Sequence, residues 1–277
     1  MKFTKMHGAG NDYIYIDAAR EKINNPSSLA VKLSDRHFGI GSDGLVLIHP
    51  SDVADFRMQM FNSDGSEAEM CGNAIRCVAK YVYDKKMTSK KTIDIETLGG
   101  IKTIELIFDK SGAVTGATVD MGKPILEPNL IPVNMQGERI INAPIDVDGK
   151  TYYVTCLSMG NPHCVVYMDE IKSLDLETLG PKFETHRLFP KKINTGFAKV
   201  IDKSNIELRV YERGAGETLA CGTGACAAAV SSYLNGYTNN EVNVMLKGGQ
   251  LKIKYEKSVI MTGNAVTVFE GDIDVWY

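Results

Sequence analysis

Cys71 and Cys221 are the residues whose type and surroundings best suit chemistry. Each has a glutamate four residues before it (Glu67, Glu217) and a glycine directly after it (Gly72, Gly222). A helical pattern opens behind each cysteine, so each thiol is expected at a helix N-terminus, beside unpaired backbone N–H groups and the positive end of the helix dipole. That position lowers a thiol pKa from about 8.5 toward neutrality. One cysteine before a helix reads as a small buried hydrophobe; two in matching places read as a working pair. Two equivalent thiols facing one another across a cleft suit a reaction that is itself nearly symmetric, the inversion of a stereocentre. One thiolate removes a Cα proton while one thiol delivers a proton to the opposite face, and the roles exchange in reverse. The N–H groups near Gly72 and Asn73, and near Gly222 and Thr223, can then hold an α-carboxylate and the negative charge that develops at Cα.

His163 and Glu212 are the ionisable groups best placed to bias which sulfur is charged. Arg213 follows in the loop ERGAGE, where a guanidinium can grip a carboxylate bidentately. Other constellations carry less. GIGSDG at 39–44 satisfies GxGxxG, but it follows a helical pattern and enters a strand-like LVLIH, the reverse of a dinucleotide fingerprint. Cys71 and Cys77 are six apart and Cys221 and Cys226 five apart, wider than structural zinc sites favour, so no metal is expected. Cys77 and Cys226 read instead as small buried helix residues.

The elements that must position these residues repeat at an offset of 150: Asn11 maps to Asn161, Glu67 to Glu217, Cys71 to Cys221 and Gly72 to Gly222. The same offset sets Gly44 on Asn194 and Asn62 on Glu212. Two related halves follow, joined near 122–134 (GKPILEPNLIPVN). Period-two alternation predicts strands over 13–17, 55–61, 92–97, 101–108, 205–212, 242–246 and 251–255. Helices are expected after Pro26, at 173–179 behind Ser173, and after the two cysteines. The helix after Cys71 should have a wet face bearing Arg76, Lys80 and Asp84; the uncharged one after Cys221 should be buried all round. The 277 residues exceed one usual domain, and 44% apolar with 23% charged residues and a net charge of −3 describe a soluble globular chain without a nucleic-acid surface. The six cysteines are too sparse for a disulfide scaffold, and MKFTKMHGAGNDY has no apolar signal region, which points to the cytoplasm and away from membranes.

HGAGNDY at 7–13, FNSDGSEAEMCGNAIRC at 61–77, SMGNPHCV at 158–165 and ERGAGETLACGTGACA at 212–227 resemble the signatures of the diaminopimelate epimerase family, in family order from the first strand to the last. The resemblance implies a cofactor-independent epimerase interconverting LL- and meso-2,6-diaminopimelate, on the route to lysine and peptidoglycan precursors. It implies an α+β fold of two pseudo-symmetric halves, each a curled mixed sheet around a central helix, with the active site in the cleft between them. The first half is expected over 1–122 with a returning strand at 267–277, the second over 123–266. Cys71 and Cys221 match the family's catalytic cysteines, and His163 and Glu212 the residues that tune them. Its substrate contacts fall on Asn11, Asn62, Gly72, Asn73, Asn161, Asn194, Glu212, Arg213, Gly222 and Thr223, with Arg213 and the asparagines on the distal amino-acid end. Gly44 stands where some members have a substrate-touching glutamine, and Phe269 where some have a tyrosine linked to a homodimer. Proline racemase-like enzymes also use two cysteines, but carry a histidine where this chain has Asn73. A cysteine nucleophile with His163 as base, in an acyl transferase or hydrolase, would leave Cys221 without a task.

Overall fold

The computed structural model describes residues 1–274, so the last three residues of the expected returning strand, 275–277, lie outside the described residues. In chain order the elements are β1 (Lys2–Gly8), β2 (Asn11–Asp17), α1 (Pro26–Ser34), β3 (Gly44–His49), β4 (Phe56–Asn62), β5 (Glu67–Ala68), α2 (Gly72–Asp84), β6 (Thr92–Thr97), β7 (Gly100–Phe108) and β8 (Val114–Asp120). There follow β9 (Ile140–Val147), β10 (Lys150–Ser158), β11 (Pro162–Tyr167), α3 (Leu176–Glu184), β12 (Asn194–Asp202), β13 (Asn205–Glu212), β14 (Gly216–Thr218), α4 (Gly222–Leu234), β15 (Glu241–Leu246), β16 (Gly249–Tyr255), β17 (Val259–Asn264) and β18 (Val266–Asp272). The chain divides into two compact units, Met1–Asp120 with the described residues from Thr262 onward, and Met121–Met261.

The two units are built alike. In the first, β1 pairs antiparallel with β2, β2 runs parallel to β3, β3 is antiparallel to β4, and β4 turns back on β5 before running parallel to β6. In the second, β10, β11, β12, β13, β14 and β15 repeat that sequence of pairings. Even the register repeats: Tyr13 pairs with Gly44 as His163 pairs with Asn194, and Phe61 with Glu67 as Tyr211 with Glu217. The helices α1 and α3 both have 9 residues, and α2 and α4 both have 13, each pair starting 150 apart.

Local chemistry explains the helix starts. Asn25 and Asp175 are N-caps whose side chains accept from the N–H of Ser28 and Thr178, each cap contributing about 1 kcal/mol. The cap of α3 is therefore Asp175, two residues beyond the expected Ser173, because its carboxylate also takes the Thr178 hydroxyl. In the second unit, α3 packs Phe183 edge-to-face on Phe197, in a core with Val154, Ile171 and Phe189. In the first, Leu29, Ala30 and Leu33 of α1 pack with Ile14, Leu45 and Phe61.

The helices α2 and α4 lie against most strands of their own units. Helix α4 is buried along nearly its whole length, as its lack of charge requires. Helix α2 departs from expectation, because Arg76 is fully buried although its position puts it on the polar stripe. Its guanidinium donates to Gly72 O (2.9 Å), Asn73 Oδ1 (2.8 Å) and Asn264 O (3.2 Å), partners that replace water. The wet face narrows to Lys80, Tyr83 and Asp84. No helix among the described residues is long and apolar enough to cross a membrane.

Candidate active site

Both cysteines occupy the N-cap position of their helices, in extended backbone conformation. All six cysteines are free thiols; Cys71 is half-buried and the other five are buried. Cys77, Cys156, Cys164 and Cys226 are core residues, as small hydrophobic thiols should be.

In the first unit, the Cys71 thiol donates to Asn11 Oδ1 at 3.3 Å, and Asn73 Nδ2 approaches the same oxygen at 3.4 Å. Asn11 lies at the start of β2 and Asn73 in the first turn of α2, so strand and helix together set this corner. Asn11 Nδ2 donates in turn to Asp43 Oδ2 at 2.7 Å. Asn62, at the end of β4, donates to Ser66 Oγ at 3.0 Å. Gly44 pairs with Asn62, and a Cβ there would be driven into the Phe61 carbonyl and the Tyr13 ring. A glutamine in that place does not fit this backbone.

In the second unit, Cys221 Sγ accepts the Gly224 N–H at 3.4 Å and lies 3.6 Å from Thr223 Oγ1. Burial pushes the Cys221 thiol well above its ordinary pKa, and the Glu212 carboxylate adds to the rise. Glu212 Oε1 accepts the Thr218 hydroxyl at 2.6 Å, which aims the carboxylate. His163 is buried, with Nε2 2.9 Å from Asn161 Oδ1. Burial, with the Arg213 charge second, lowers its pKa to about 3, so the ring is neutral at physiological pH. Nε2 then donates to that oxygen. Asn194 is buried, accepts the Arg213 N–H at 3.0 Å and donates to Pro162 O at 2.8 Å.

The structure thus brings Asn11, Cys71 and Asn73 into contact in one unit, and Asn161 with His163, Asn194 with Arg213, and Cys221 with Glu212 and Thr223 in the other. Residue types alone did not expose Arg76, which fastens Asn73. Nor did they expose Glu184, whose Oε1 accepts the Gly214 N–H at 3.1 Å and steadies the ERGAGE loop. Glu184 lies beyond the 173–179 helix expected from the sequence, and its burial at the end of α3 shows only in the structure. Among the described residues, no group of three or more His, Cys, Asp or Glu is placed to hold a metal ion.

The profile of the diaminopimelate epimerase family matches residues 3–127 and 155–268. Diaminopimelate epimerase of Acetivibrio thermocellus is 58% identical over 278 residues, covering 99% of each chain. That of Methanococcus maripaludis is also 58% identical, over 99% of this chain and all of the relative, and that of Desulfovibrio desulfuricans is 56% identical, over 98% of each. A hydroxyproline epimerase from Agrobacterium vitis shares the fold at 12% identity and a TM-score of 0.69, over 99% of this chain and 90% of that one. A probable proline racemase from Agrobacterium radiobacter does so at 13% identity and a TM-score of 0.70, over 99% and 93%. These two likenesses are of fold alone.

Proposed function

The chain belongs to the diaminopimelate epimerase family, and we propose that it interconverts LL- and meso-2,6-diaminopimelate in lysine biosynthesis by proton transfer between one α-carbon and the sulfurs of Cys71 and Cys221. One observation carries the residue assignment: at the same place in each unit, a thiol caps a 13-residue helix that opens with glycine. One sulfur takes the Cα proton as the C–H bond breaks and an S–H bond forms; the other S–H gives its proton to the opposite face. The charge left on Cα spreads into the α-carboxylate, which the first-turn N–H groups at Gly72, Asn73, Gly222 and Thr223 are suited to receive.

The second unit supports an assignment of roles. Burial and the Glu212 carboxylate favour the thiol form of Cys221, which suits it to the proton-donor role. In the opposite direction Cys221 is the base, and the same influences make its thiolate a strong one. Neutral His163 acts through Asn161 rather than by carrying charge. Arg213 would bind the distal carboxylate, with Asn11, Asn62, Asn161 and Asn194 shaping the pocket for the unreacting end. This chemistry calls for no cofactor, metal, nucleic acid or membrane, and the reading places it in the cytoplasm. A homodimer is supported by Val266, Val268 and Phe269, apolar side chains exposed along β18.

The test is direct. LL-diaminopimelate incubated with the purified chain in reducing buffer, without added cofactor, should reach a mixture with the meso isomer by chiral chromatography, while L-proline should remain unchanged. Turnover of proline but not diaminopimelate would move the chain to the proline racemase-like reading.

A further inference from the structure

Asn11 is a rotor whose orientation decides what Cys71 meets. A carboxamide turned one way shows a thiol an acceptor oxygen; turned the other, it shows two N–H donors. The choice is fixed by what lies on its far side. There Asp43 Oδ2 accepts the Asp12 backbone N–H at 3.1 Å, and Oδ1 accepts from Arg36 Nη2 at 2.9 Å. A backbone N–H can only donate, so Oδ2 is an acceptor, and the Asn11 atom 2.7 Å from it must be the amide nitrogen. The carboxamide oxygen is therefore the end that faces Cys71.

Asp43 belongs to GIGSDG, the glycine-rich stretch that is no nucleotide fingerprint. The loop is compact enough to deliver one carboxylate to one place. Gly41 has a left-handed φ of +81°, a Cβ at Gly39 would run into the Lys32 carbonyl, and the Ser42 hydroxyl bonds to Ser34 Oγ and Gly44 O. Lys5, buried on β1, donates to Gly41 O and pairs with Asp12 at 2.8 Å.

We propose that Asp43 is a positioning residue for the reaction: it locks the Asn11 carboxamide with its oxygen against the Cys71 sulfur, which keeps Cys71 a weaker acid and its thiolate a stronger base than a free amide would allow. A hydrogen bond accepted from the S–H form favours the thiol, and the Asn11 amide nitrogen is turned to Asp43 while its oxygen meets the sulfur. The catalytic meaning of this lock rests on the proposed role of Cys71, but the lock itself can be read without any substrate.

The ionisable groups that interact with Cys71 include Cys77 on α2 and Tyr15 on β2; Arg76 is held to Gly72 O beside it, and through Asn11 come Asp43, Asp12, Lys5 and Arg36. Burial raises Cys77 to about 11 and lifts Tyr15 well above its ordinary value, so both stay protonated near neutral pH. Cys71 is also the only cysteine that is not buried.

The experiment is the pH dependence of iodoacetamide alkylation at Cys71, read by peptide mass spectrometry. In Asp43→Ala the amide is free to turn its N–H toward the thiolate, and the midpoint should fall by about one pH unit. Asp43→Asn retains an oxygen able to accept from both Asp12 and Asn11, and Arg36→Ala leaves the Asp43–Asn11 bond in place; both should keep the wild-type midpoint. An Asp43→Ala midpoint equal to or above the wild-type value overturns the proposal. Should Asp43→Ala not fold, a ¹⁵N-asparagine-labelled wild-type sample decides. The Asn11 carboxamide signal, identified by its loss in Asn11→Ala, should move with the acid titration of a carboxylate. A signal that follows the Cys71 titration instead would put the nitrogen at the sulfur and sink the idea.

Discussion

The buried imidazole of His163 makes a quantitative forecast about stability. Its pKa is lowered to about 3 in the folded chain, chiefly by burial and then by Arg213, against an ordinary value near 6.5. Between those values the unfolded chain binds a proton that the folded chain refuses, so stability contributed at this site rises with pH and is complete above about pH 6.5. It is lost as pH falls toward 3, at about 1.4 kcal/mol per pH unit. His163→Gln keeps a donor for Asn161 but has nothing to titrate. Relative to that variant, the wild-type chain should lose about 2 kcal/mol of unfolding free energy between about pH 7 and pH 5. Urea unfolding followed by circular dichroism at several pH values measures the difference. If the two stability curves run parallel down to about pH 4, His163 is protonated in the fold and its assignment as a neutral group is wrong.

Three further outcomes follow from named contacts. Glu212→Gln removes the carboxylate that helps hold Cys221 up, so the Cys221 thiol should titrate at lower pH in a denaturant-free alkylation profile; an unchanged midpoint would leave burial as the sole cause. Gly44→Ala should cost about 1–3 kcal/mol in thermal unfolding, since its Cβ has no room beside the Phe61 carbonyl and the Tyr13 ring; a neutral result would mean the β3–β4 pairing yields easily. Arg76→Leu should destabilise by about 2–4 kcal/mol, because Gly72 O, Asn73 Oδ1 and Asn264 O lose donors in a dry site; wild-type stability would show that these acceptors find other partners.

Much of this was legible because it depends on short-range pattern. The alternation of NIELRVYE and the spacing of Cys71 and Cys221 carry strands, helix starts and the repeat without reference to distant residues. The absence of charge in CGTGACAAAV likewise requires a buried helix. What stayed hidden depends on partners far away in the chain. Helical periodicity put Arg76 on a wet stripe, yet its burial is made tolerable by Asn264, 188 residues on. The GIGSDG stretch could be dismissed as a nucleotide loop from its flanks, but its contact with Asn11 exists only because β2 and β3 pair in parallel. Ser173 and Asp175 are both good caps, and the hydroxyl of Thr178 decides between them. The departure at Gly44 became meaningful only once the Phe61 carbonyl was seen to occupy the space a side chain would need.

The central claim is that two thiols share one α-carbon. Its sharpest test is proton exchange in D₂O with LL-diaminopimelate, following the Cα–H signal by NMR for the wild-type chain and for Cys71→Ala and Cys221→Ala. The wild-type chain should replace the Cα proton with deuterium as the meso isomer appears, and each single variant should form no meso isomer. Full epimerisation by either variant would contradict the account.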